Sequence, residues 1–216
     1  MQAGLSAKQL MGTAAALTAG RLLDFDTKHI HILCGKGNNG GDGWALAWML
    51  LGAGLSAGQM TLYAACDPGS DEAKSYAALV RPFLSARPFE DLEAGQGDLI
   101  AEALLGSGQK NAPSGFVRSA LDRIKRAKDR GAFLVSLDVP AGLVEDAPCS
   151  WQDLPLPDLV HSYGAGKLAA ALDANLAGRV QIFPIGFPPL GAPSFLGTPQ
   201  TADLAVLLKR PLDHKY

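Results

Sequence analysis

The chain has 216 residues, 48% of them apolar, with 19 basic and 21 acidic side chains and a formal net charge of −2 at pH 7. That length and apolar share suit one large globular domain rather than disorder, and the charge balance leaves no basic footprint for nucleic acid. Cys34, Cys66 and Cys149 fit neither a disulfide framework nor zinc spacing, no apolar run reaches the ~18 residues of a membrane span, and no leader pattern opens the chain, so the expected setting is cytoplasmic.

Residues 5–23 carry Leu5, Leu10, Met11, Ala14, Leu17, Leu22 and Leu23 at helical spacing, with Ser6 placed to cap. His29 to Cys34 reads as a short apolar strand. A glycine-rich turn, Gly35 to Gly43, follows it, and a helix is expected from Trp44 to Leu51. Met60 to Ala65 is the next strand, and Ser70 to Leu84 reads as a surface helix. A third strand runs from Asp98 to Leu105, followed by Gly106-Ser107-Gly108 and an amphipathic helix from Ser114 to Arg130. Ala132 to Val139 is a fourth strand, stopped by Pro140. Leu159 to Tyr163 and Val180 to Ile185 are late strands around a short helical piece at Leu168 to Leu172, and the tail is proline-rich. Strands alternating with helices, with apolar runs that leave no polar face, predict an α/β fold. The expected architecture is a Rossmann-like three-layer α/β/α sandwich around a mostly parallel sheet.

In an open α/β sheet, ligands gather beyond the carboxyl ends of the strands. The loops there carry Gly35-Lys36-Gly37-Asn38-Asn39-Gly40-Gly41-Asp42-Gly43, then Gly106-Ser107-Gly108, then Asp138-Val139-Pro140-Ala141-Gly142, then Tyr163-Gly164-Ala165-Gly166-Lys167. Closely spaced glycines let backbone approach an anion, and a helix that begins there offers free N–H groups. Two amides and a carboxylate in the first loop suit a ligand with hydroxyls and amides, or a hard cation held by oxygens. Asp138, an acid at a strand end beside a rigid proline, is the candidate acid–base group. Blander readings stand beside these. Asn38 and Asn39 suit turn positions, Asp42 suits a helix cap, and Lys167 suits either a phosphate or plain solvent. Trp44, Trp48, His29, His31 and His161 read as packing residues.

Taken together, Gly37 to Gly43, Asp98 to Gly108 and Leu137 to Leu143 resemble the YjeF N-terminal domain family, the NAD(P)H-hydrate epimerases. Asp158 to Lys167 and Gly178 to Gly186 are similar too. The resemblance implies a repair enzyme that interconverts the R and S epimers of C6-hydrated NADH and NADPH (NADHX and NADPHX). It implies substrate binding by Asn38, Asn39, Gly40, Gly41 and Asp42, and by Gly106, Ser107, Gly108, Gln109, Lys110, Asn111 and Ala112. Asp138 then lies at the substrate. The resemblance also implies a potassium ion at the positions of Asn39, Glu102 and Ala141. The sequence departs there, because the family has Asp where Glu102 stands and Ser where Ala141 stands. Gly12 also replaces a usual Glu. A homodimer is implied, with Phe183 to Pro189 as a candidate contact. The expected domain covers residues 1–208, and the tail over 209–216 resembles the start of a dehydratase domain in fused relatives. Two rivals remain. Tyr163-x-x-x-Lys167, with Ser150 upstream, spells a short-chain dehydrogenase pattern that needs both residues on one helical turn. A non-catalytic scaffold of the same fold is the other.

Overall fold

The computed structural model describes residues 4–144 and 149–186. The tail over 209–216 and the end of the Phe183 to Pro189 stretch lie outside the described residues. Helix α1 (Ala7–Leu22) starts at a reciprocal cap, in which the Gln9 N–H donates to Ser6 Oγ and the Ser6 N–H donates to Gln9 Oε1 at 2.8 Å. Six strands follow along the chain: β1 (His29–Cys34), β2 (Met60–Ala64), β3 (Asp98–Ala103), β4 (Phe133–Leu137), β5 (Leu159–Tyr163) and β6 (Val180–Phe183). They form one sheet in the order β2-β1-β3-β4-β5-β6, with every pairing parallel. The expected three-layer α/β class stands, and the described sheet is entirely rather than mostly parallel.

The layering follows from the strand period of two. Ile32, Leu62 and Ala101 point to one face, where α1, α2 (Asn38–Gly52) and α3 (Asp71–Val80) pack. Leu33, Ile100 and Leu134 point to the other, under α4 (Gly115–Asp129). The short α5 (Leu168–Leu172) covers Val160 on that second face through Ala170. Because both faces are covered, most strand positions carry apolar side chains, and the faces do not alternate between apolar and polar. No helix among the described residues is long and apolar enough to cross a membrane.

Chain direction across the sheet reverses between β1 and β3, which opens a crevice at their carboxyl ends. The sequence reading is corrected at this crevice. Helix α2 begins at Asn38, not near Trp44, so the expected glycine-rich turn is largely the first turns of a helix. Glycine disfavours helix by about 1 kcal/mol per residue. Packing overrides that propensity, because a Cβ added at Gly40 would lie 1.8 Å from the Gly35 carbonyl oxygen, and one at Gly43 would lie 2.7 Å from Cys34 Sγ. Shorter corrections have local causes. Helix α3 starts after Ser70, whose Oγ accepts the Ala73 N–H at 3.3 Å. Strand β4 stops at Leu137 because Asp138 turns into the left-handed region with φ 62°. Strand β6 ends at Phe183, before Pro184, which has no N–H to pair.

Gly40→Ala is therefore expected to destabilise the fold by about 2–3 kcal/mol or more, the cost of overpacking against backbone. Gly20→Ala, at an exposed position of α1 with nothing within 4 Å of an added Cβ, should stabilise by about 0.5–1 kcal/mol. Urea denaturation of both variants checks the pair; equal effects would contradict the close-packing account.

Candidate active site

A cavity of about 250 Å³ opens at the carboxyl end of the sheet. Asn38 and Asp42 reach it from α2, Asp138 from the end of β4, Tyr163 from the end of β5, and Lys167 from the start of α5. Met11 and Leu10 of α1 and Ile185 close its apolar side, and Glu72 of α3 lies at its edge.

Asp138 is the one non-glycine residue with positive φ among the described residues. Such a conformation costs on the order of 1–3 kcal/mol and persists only where the surroundings fix it. Here its N–H donates to the His161 carbonyl at 2.8 Å. Its carboxylate accepts the Ser107 N–H at 3.2 Å on Oδ2, and the Lys167 ammonium lies 3.3 Å from Oδ1. Lys167 Nζ also donates to the Tyr163 carbonyl at 3.1 Å, which fixes the pair over the cavity. Asp42 has no hydrogen-bond or ion-pair partner among the described residues. Burial, and then the charge of Asp138, hold its carboxyl well above the usual carboxylate range. The Tyr163 hydroxyl meets Thr18 Oγ1 at 2.8 Å, and burial followed by the Asp42 charge raises it well above the usual phenol.

Beneath the cavity, three side chains stitch the loop after β3 to the loop after β4. Asn39 Nδ2 donates to the Leu105 carbonyl at 2.7 Å and to the Leu137 carbonyl at 3.1 Å. Glu102 accepts the Leu104 N–H at 2.8 Å on one oxygen and the Ala141 N–H at 3.2 Å on the other. Gln109 donates to the Pro140 carbonyl at 3.0 Å and accepts the Gly142 N–H at 2.7 Å. Burial pushes the Glu102 carboxyl up to about 7, against the pull of the Leu104 and Ala141 N–H groups.

The structure thus gathers Asn38, Asp42, Asp138 and Lys167 on the cavity, with Gly106 and Ser107 touching the Asp138 side. Gly40 and Gly41 face inward instead, onto Gly35 and Met11. Gly108, Lys110, Asn111 and Ala112 are exposed on the rim outside the cavity lining. The dehydrogenase spelling fails on geometry, since Tyr163 ends a strand and Lys167 only precedes α5. Sequence reasoning did not place α1, Glu72 or Ile185 at the site. Their apolar or charged residues carry no local signal, because only the packing of α1 and α3 on α2 brings them there.

One side-chain oxygen beneath the cavity is of the kind that a hard cation takes. Asn39 Oδ1 is buried with no partner among the described residues, and the buried Glu102 carboxyl lies in the same set of loops. Ala141 supplies no side-chain oxygen. No group of three His, Cys, Asp or Glu side chains is placed for a metal ion among the described residues. His161 is a core residue, as read: both ring nitrogens are buried without partners among the described residues, and the ring meets Phe183 edge-on at 4.8 Å.

A wholly parallel sheet with its strand order reversing beside β1 defines a protein of the doubly wound α/β class, with a lysine-paired carboxylate above the reversal. Residues 7–164 match the family described as YjeF-related protein N-terminus, and the chain belongs to it. It is 28% identical over 221 residues to the bifunctional NAD(P)H-hydrate repair enzyme Nnr of Methanothermobacter thermautotrophicus, covering 98% of this chain and 41% of that protein. It is also 28% identical over 171 residues to the NAD(P)H-hydrate epimerase of Pirellula staleyi, covering 74% of each. The chain spans well under two thirds of the bifunctional relatives it matches. The crystal structure of yeast ynu0 shares the fold, with a TM-score of 0.68, 20% identity and 90% of each chain covered.

Burial, and then the charge of Arg21, lower the His161 pKa from 6.5 to about 4. The unfolded chain then takes up a proton that the folded chain refuses, so this group removes stability as pH falls from 6.5 and has its full effect below about 4. His161→Leu should flatten the loss of stability across that window, measured as urea midpoints at successive pH values. Parallel curves for the two proteins would contradict this.

Proposed function

We propose that the chain is an NAD(P)H-hydrate epimerase, interconverting the R and S epimers of NADHX and NADPHX in a cytoplasmic repair of nicotinamide cofactors. The observation that carries the reading is Asp138, held in a left-handed conformation at the end of β4 and paired with Lys167 over a small cavity. The family match and the activity named for the Pirellula staleyi relative support it.

The hydroxyl at C6 of the hydrated ring sits next to the ring nitrogen, so it is a carbinolamine. Once its oxygen is protonated it leaves as water, pushed by the nitrogen lone pair. Water then returns to either face. A carboxylate at the ring gives and takes the proton, and Asp138 fills that role. A cavity of about 250 Å³ holds a ring-sized group, below the roughly 300–1,000 Å³ of a drug-sized pocket. The rest of the dinucleotide then lies outside it. The first N–H groups of α2, which no side chain caps, and the rim from Gly106 to Ala112 are suited to its phosphates. Lys167 adds positive charge on that side. Met11 and Ile185 keep bulk water from the ring. Potassium would be held by Asn39 and Glu102, where it supplies charge that steadies the two stitched loops. The partners proposed are a dehydratase that consumes the S epimer and a second copy of this chain.

Purified chain should convert R-NADHX to an R/S mixture, followed by chromatography. Asp138→Asn should slow that conversion roughly 100- to 10,000-fold, the range for a lost acid–base group, with ligand binding retained. An unchanged rate in the variant would sink the assignment. Exchanging potassium for choline should lower the melting temperature, since a ligand bound only by the folded state stabilises it.

A further inference from the structure

Two carboxyl groups face one cavity from walls built by different elements. Asp138 comes from the end of β4 and Asp42 from the second turn of α2. Their surroundings are opposite in kind. Asp138 accepts the Ser107 N–H and lies against the Lys167 ammonium. Asp42 meets no donor and no cation among the described residues. The groups within electrostatic reach of it are Cys34 of β1, Tyr76 of α3, Tyr163 of β5 and Asp138 itself. The thiol and both phenols are held neutral by burial. Glu72 and Lys167 complete the ionisable lining, and Lys167 is turned onto Asp138. Burial and the Asp138 charge both push the Asp42 carboxyl toward its protonated form. A pair of carboxyl groups whose environments diverge in this way divides the acid and base work between them.

We propose that Asp42 is a second catalytic residue, the proton donor that acts across the cavity from an Asp138 base. This rests on the epimerase reading and deepens it by dividing between two residues the proton work given above to Asp138 alone. The Asp42 proton passes to the C6 hydroxyl oxygen. The C6–O bond breaks, its electron pair leaves with the oxygen as water, and the ring nitrogen lone pair closes a C=N bond. Water then adds to the face toward Asp138. A new O–C6 bond forms, the C=N electrons return to nitrogen, and Asp138 takes the proton that the water loses. Nothing is oxidised or reduced. The pair ends with its protonation exchanged, ready to run the opposite epimer or to reset through solvent.

The test compares wild type, Asp42→Asn and Asp42→Glu, with R-NADHX as substrate. Asp42→Asn keeps size and hydrogen bonding but has no transferable proton. Its kcat should fall at least 100-fold with KM within threefold, and Asp42→Glu should recover at least tenfold of that loss. The alkaline fall in wild-type kcat/KM should vanish from the residual Asp42→Asn rate. The Asp42→Asn melting temperature should match or exceed wild type, because an unpaired carboxyl beside Asp138 is gone. An active wild type with Asp42→Asn inside threefold of its kcat, or with only KM raised, overturns the Asp42 assignment and leaves the epimerase reading standing. A wild type that leaves R-NADHX unchanged overturns both.

Discussion

Helix α2 rests its first turn directly on the carboxyl ends of β1 and β3, and the remaining parts of the site depend on that close approach. Gly35, Gly40 and Gly43 leave no room for a Cβ between the helix and the sheet. With the helix seated so low, Asn39 reaches beneath the cavity and donates to the Leu105 and Leu137 carbonyls. One turn later Asp42 emerges at the cavity wall. The same contact fixes where the uncapped N–H groups of the helix point. Weak intrinsic helix propensity in this segment is therefore a consequence of the geometry the site needs, offset by burial of Trp44, Leu46 and Leu50 farther along.

The loops after β3 and β4 would be free to move without cross-links, as loops at sheet ends generally are. Asn39 and Glu102 remove that freedom by hydrogen-bonding backbone groups on both sides, and Gln109, itself in the loop after β3, by bonding Pro140 and Gly142 of the loop after β4. Glu102 is nearly fully buried, so its carboxyl contributes only because the Leu104 and Ala141 N–H groups meet it. Held from below, Asp138 can keep a backbone conformation that side chains rarely adopt. The strain sits at the residue proposed to handle protons, where a fixed direction matters most.

Electrostatics at the cavity are set more by burial than by net charge. Desolvation pushes Asp42, Tyr163 and Cys34 all toward their neutral forms. Lys167 is the ammonium on the cavity, and it is committed to Asp138. Two like groups, Asp42 and Asp138, consequently differ in chemistry through their neighbours alone.

Strand positions were legible in the sequence because apolar runs bounded by glycine and proline have few other readings. His29 to Cys34 and Leu159 to Tyr163 match the observed strands end to end. The converging loops were legible as well, since ligands in parallel sheets gather beyond strand ends. Asn38, Asp42, Asp138 and Lys167 do meet at one cavity. Tertiary structure alone decided the rest. It turned a glycine-rich turn into the start of α2, because only a partner surface can offset poor helix propensity. It assigned Gln109 to the Asp138 loop, because an amide makes the same hydrogen bonds to backbone as to ligand. It brought α1 and Ile185 to the cavity from distant parts of the chain. It also placed the two aspartates in unlike surroundings, because the field at a carboxyl depends on neighbours that sequence distance does not reveal.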